Sequence, residues 1–105
     1  MQRVNYAGGV FVTSDEVADA LLEYAAVLAN ADRAATLDVP SADDDGPTTV
    51  KVLVGPASQI VAEPVAGPDV DLDVDPFLDE VRGAIRDHRS RPLPPDPGSA
   101  LDWDL

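Results

Sequence analysis

The sequence predicts an α+β fold: a small antiparallel sheet of about three strands packed on one long helix, in the order β-α-β-β-α, with a Pro-rich acidic C-terminal tail. Three observations predict it. The segment from Ser14 to Asn30 carries apolar residues at helical spacing behind a polar cap. The segments "AATLDVP" and "TTVKVLV" alternate with period two. Beyond residue 63 the texture changes to Pro and Asp.

Each element has its own local cause. In "RVNYAGGVFVT", Arg3 to Thr13, β-type residues flank Gly8-Gly9, which reads as a strand with a glycine bulge or as a tight hairpin. Thr13 then fits a helix N-cap with Glu16 three residues on, a capping box. Val12 and Val17 occupy the positions of a hydrophobic staple, and Asp15 and Glu16 suit the positive end of the helix dipole. Val17, Leu21, Tyr24 and Leu28 form the apolar stripe, and the helix should fade between Asn30 and Arg33.

Ala35, Leu37 and Val39 share one face of the next strand, and Val50, Val52 and Val54 share one face of its partner. "SADDDGP" between them carries dense turn signals, so the pair reads as a hairpin with a long acidic tip. Gly55-Pro56 stops the last strand, because Pro blocks further pairing. "EPVAGPDVDLDVDP" reads as a linker. Asp75 as N-cap and Pro76 at the first helical position open a second helix, with a stripe of Phe77, Val81, Ile85 and His88. Arg86, Arg89 and Arg91 suit its negative end. The chain thus divides into a compact core over 1–62, a linker over 63–75, an amphipathic helix over 76–90, and an extended tail over 91–105.

Composition narrows the function. Net charge is −13, from 20 acidic and 7 basic residues, which opposes direct binding to nucleic acid or to an anionic membrane surface. No Cys is present, which excludes disulfides, thiolate metal sites and thiol nucleophiles. No charged-then-apolar leader and no spanning apolar run is present, so a cytoplasmic location is expected. A chain of 105 residues buries only a modest core, and a homodimer would enlarge it.

Four constellations bear on chemistry. Ser58 follows Gly55-Pro56 at a strand end, where a nucleophile can be presented. It lacks the second glycine of a nucleophile elbow, and His88, the one His of the chain, sits in an apolar helical stripe. In "DVDLDVDPFLDE", Asp69, Asp71, Asp73, Asp75 and Glu80 fall at positions 1, 3, 5, 7 and 12 of an EF-hand loop, which they resemble in acidic spacing. Val74 replaces the glycine that allows the sharp turn and Pro76 follows two residues later, so a solvated acidic linker ending in a helix cap is the expectation. Asp43 to Asp45 before Gly46 could hold a divalent cation weakly, but adjacent carboxylates converge less well than alternate ones, and they read as a solvated hairpin tip. No metal or cofactor is expected.

The fourth constellation is the C-terminus. In "ALDWDL", Leu101, Trp103 and Leu105 alternate with Asp102 and Asp104 behind a Pro-rich run. An extended segment of this kind can enter a pocket or add to a sheet edge, with its acids meeting a basic rim. The alternative is that Trp103 packs back on the protein's own surface. The chain therefore reads as a small acidic, non-catalytic interaction or regulatory protein that binds a protein partner through Leu101 to Leu105. A second reading is an acidic inhibitor, antitoxin-like, covering a basic site of a nucleic-acid enzyme by charge mimicry. An enzyme is the least supported reading, because no acid, base and nucleophile share a recognisable spacing.

Overall fold

Val4 stands between Arg3 and Asn5, Phe11 between Val10 and Val12, and strand pairing sets the two opposite each other on one buried face. These segments are β1 (Gln2–Tyr6) and β2 (Gly9–Thr13), an antiparallel hairpin. The computed structural model describes residues 1–6, 9–66 and 70–90. Tyr6 meets Phe11 edge-on at 5.6 Å on the inward face.

Helix α1 (Asp15–Asn30) follows. Its N-cap is Ser14, whose Oγ accepts from the Val17 amide at 3.2 Å. The expected cap at Thr13 is therefore displaced by one residue. Thr13 ends β2, is fully buried, and donates its hydroxyl to the Pro40 carbonyl at 2.6 Å. The helix ends in a Schellman motif: the Arg33 amide donates to the Leu28 carbonyl at 2.9 Å and the Asp32 amide to Ala29 at 3.2 Å. Asp32 takes the left-handed position, at φ 55°.

β3 (Ala35–Asp43) and β4 (Gly46–Val54) pair in unbroken register from Ala35 opposite Val54 to Asp43 opposite Gly46. Leu37, Val39, Val52 and Val54 point inward and are buried. The tip is shorter than expected, because Asp44 and Asp45 alone connect the strands. The Asp43 carboxylate accepts from the Asp45 amide at 2.8 Å, an Asx turn, and Gly46 supplies a φ of 108°. β5 (Val61–Pro64) pairs antiparallel with β1 and places Ala62 opposite Val4.

The sheet is β4-β3-β2-β1-β5, antiparallel throughout. This corrects the expected sheet of about three strands on one long helix: the described residues form five strands and two helices. The glycine-flanked segment supplies two strands rather than one bulged strand. β5 straddles the boundary at which the linker was expected to start. Helix α2 (Asp75–Ser90) packs against α1 and buries Phe77, Leu78, Val81 and Ile85 in the same core as Val4, Leu21 and Val39. Both helices lie toward the inward face of the sheet. The outward face exposes Val10, Leu53 and Val61 at 59%, 68% and 59%.

The two halves of the sheet meet at a narrow seam. β2 and β3 share one ladder pair, Val12 opposite Ala42. The Thr13 to Pro40 hydrogen bond extends that seam toward the helices.

Candidate functional site

The inward-facing polar residues are occupied by the fold. Thr13 and Ser41 are the buried polar residues among those described, and Ser41 donates to the Val39 carbonyl at 3.1 Å. Every Asp, Glu, Lys and Arg among the described residues is exposed. The Asp15 carboxyl is held below its ordinary pKa by a hydrogen bond from Gln2 and by the Met1 ammonium at 3.2 Å.

The sequence candidates hold different partners. Ser58 closes a turn: the Gly55 amide donates to its Oγ at 2.9 Å, and its own amide donates back to the Gly55 carbonyl at 3.0 Å. An added Cβ on Gly55 would sit 3.2 Å from the Ala34 side chain, so the glycine also admits close packing of the chain at the foot of β3. His88 lies on α2, with its ring 6.4 Å from that of Tyr24. Ser58 and His88 thus serve different parts of the fold. Asp71 and Asp73 are exposed ahead of α2, and Asp75 and Glu80 belong to the helix itself. Asp69 lies outside the described residues. No group of three or more His, Asp or Glu converges on a cation position among the described residues. The expected partner-binding segment, Leu101, Asp102, Trp103, Asp104 and Leu105, also lies outside the described residues.

One surface feature was missed in the sequence. Arg82, Arg86 and Arg89 are exposed along one side of α2, at spacings that align them on a helix. Three of the seven cationic side chains of a strongly acidic chain are thus concentrated on one wall. Arg89 pairs with Glu23 of α1 at 3.1 Å and fixes this wall against α1. Depressions open on both sides of the pair. One is lined by Arg82, Ile85 and Arg86, the other by Ala26, Val27, Ala31 and His88. Arg82 and Arg86 of α2 thus line one depression and the small apolar groups of α1 the other, with the Glu23–Arg89 pair between them. The signal was present in the i, i+4, i+7 spacing of the arginines, but only packing shows that this side adjoins α1.

No helix among the described residues is long and apolar enough to cross a membrane. No family model matches the chain, and neither a curated protein nor a solved structure matches it significantly.

Proposed function

We propose that the chain is a small, non-catalytic protein-interaction module of the cytoplasm that engages a protein partner through its C-terminal segment Leu101 to Leu105. The supporting observation is the composition of that segment beside the core that the described residues form. The core's buried apolar residues run from Val4 to Ile85, and the buried side-chain polar atoms among the described residues all have partners. Trp103, the one Trp of the chain, stands beyond this stretch between two acids. A large aromatic flanked by charge is the composition of an interface anchor.

The test is capture of partners by the full-length protein and by its Trp103→Ala variant, at low and at high salt. Loss of the partner with Trp103→Ala, and its retention at high salt, supports apolar anchoring through the tail. Undiminished capture by Trp103→Ala overturns it. Capture that disappears at high salt in the parent protein favours the charge-mimic reading instead, because screening shortens electrostatic reach.

A further inference from the structure

We propose that the open edge of β4 is the surface through which two copies of this chain associate, each β4 adding antiparallel to the other and continuing the sheet. None of the residues of the partner reading takes part in it.

The two edges of the sheet are unlike. β5, at one edge, has four residues, carries Glu63 and ends in Pro64, features that discourage further pairing. β4, at the other, has nine residues and the β-rich run Val50 to Val54. Alternation decides which backbone groups it offers. The Pro40 carbonyl points toward β2, where it accepts from Thr13. Pro40 and its cross-strand neighbour Thr49 therefore turn their backbone groups away from each other. Thr49 directs its N–H and C=O to the open edge, and so do Lys51 and Leu53 at alternate positions. Pro47 falls in the same set, where its missing N–H costs no bond to β3. Among the described residues no turn or loop hydrogen bond takes up these groups.

A second copy fits this edge in charge and in register. Residues 46–62 are the longest run of the chain without Asp or Glu, and they hold Lys51. On a chain of net charge −13, a like molecule approaching β4 meets no acidic side chain on the strand itself. An antiparallel pair centred on Val50, the midpoint of Gly46–Val54, overlaps the two strands end to end. Thr49 then exchanges backbone bonds with Lys51 of the second copy. The Leu53 amide donates to Pro47 of that copy, which has no N–H to give in return. On the inward face the half-buried Val50 meets its own copy, and on the outward face the exposed Leu53 covers Pro47. Centring on Lys51 would set two ammonium groups directly opposite, and centring on Val52 would run each strand into the turn at Gly55. The acidic tips, Asp43 to Asp45, stand at opposite ends of the pair. They are roughly 30 Å apart at about 3.4 Å per residue, beyond the screening length of about 8 Å at physiological salt.

Sedimentation equilibrium of the full chain over a wide concentration range tests this, together with substitutions at Thr49, which is exposed. The expected result is a monomer–dimer equilibrium. Thr49→Pro removes an edge-facing donor and no donor of the β3 ladder, and should raise the dimer dissociation constant about tenfold or more. Thr49→Lys sets a cation opposite Lys51 of the other copy, twice per dimer, and should weaken the dimer several-fold. Thr49→Glu should tighten it several-fold. Overall charge predicts the reverse order, because Thr49→Lys lessens the net charge of −13 and Thr49→Glu deepens it. Far-ultraviolet circular dichroism checks the fold of each variant, and the Lys and Glu variants decide the matter even where the proline variant fails to fold.

A monomeric mass at every concentration overturns the proposal. Slow hydrogen exchange of the Thr49, Lys51 and Leu53 amides in that monomer would assign the edge to another segment of the same chain, and fast exchange would leave it to a different protein. A dimer indifferent to Thr49→Pro, or one that follows the order of overall charge, also overturns it and places the contact elsewhere. Partner capture through Trp103 is a separate readout, so this proposal and the partner reading fail independently.

Discussion

The Thr13 hydroxyl donates to the Pro40 carbonyl across 2.6 Å and ties the last residue of β2 to the middle of β3. Next to it the two strands share one ladder pair, so this side-chain bond carries an unusual share of the seam. Thr13→Val keeps the shape and leaves the Pro40 carbonyl without its donor. The expected cost is about 1–3 kcal/mol. Thr13→Ser keeps the donor and should cost less. Urea unfolding of the two variants checks this: a Thr13→Val midpoint equal to the parent's would show that the bond contributes nothing to the seam.

Helix α2 belongs to the core rather than to an appended segment, because Val81 is buried alongside Leu21, Leu28 and Val39. Val81→Ala removes two buried carbons and leaves a small cavity, at a cost of about 2–3 kcal/mol. Arg82→Ala, one residue on but exposed, should change stability by about 0.5 kcal/mol or less. The loss in Val81→Ala should appear equally in helix melting and in hydrogen exchange of the Val4 and Val39 amides. Undisturbed sheet protection would separate α2 from the cooperative unit.

Legibility in the sequence follows the range of the determining interaction. The stripe Val17, Leu21, Tyr24 and Leu28 is local, and the helix stands where the stripe placed it. Thr13 and Ser14 are both competent caps. The choice between them is tertiary, because Pro40 takes the Thr13 hydroxyl and leaves Ser14 to cap. β5 has four residues, Val61 to Pro64, too short for a pattern and ending in Pro. It is a strand because β1 offers an edge and Ala62 meets Val4 there, with Glu63 reaching Arg3 at 3.5 Å and Asn5 at 3.2 Å on the outer face. Pairing across nearly sixty residues leaves no local trace. The alignment of Arg82, Arg86 and Arg89 was legible as spacing, but the pairing of Arg89 with Glu23 of α1 was not.

Asp15 makes the stability depend on pH at the acid end. Its carboxylate accepts from Gln2 at 3.1 Å and lies 3.2 Å from the Met1 ammonium, and both hold its native pKa below the ordinary value. The native state therefore binds the proton less readily than the unfolded chain. The stabilisation is present above the ordinary Asp range, near pH ~3.9, and is lost as pH falls through the lower native pKa. Asp15→Asn should be less stable than the parent at neutral pH and should lose less on acidification, so that the two unfolding curves converge at low pH. Parallel curves from neutral pH downward would remove Asp15 from the acid response.

Asp32 offers a stabilising substitution. It holds the left-handed position of the Schellman motif at φ 55°, where a side chain is disfavoured, while its amide bonds to Ala29 and the next amide to Leu28. No side-chain hydrogen bond or ion pair of Asp32 offsets this strain among the described residues. It also places a negative charge at the negative end of the α1 dipole, where a cation would be favoured. Asp32→Gly relieves both effects, while glycine adds freedom to the unfolded chain and offsets part of the gain. The net expectation is a gain of about 0.5–1 kcal/mol, a rise of a few degrees in melting temperature for a domain of this size. Asp32→Asn removes the charge and keeps the side chain, so it should recover only the electrostatic part. Thermal unfolding of the two variants beside the parent separates backbone strain from the dipole, and a lower melting temperature for Asp32→Gly would show that the left-handed aspartate is not strained.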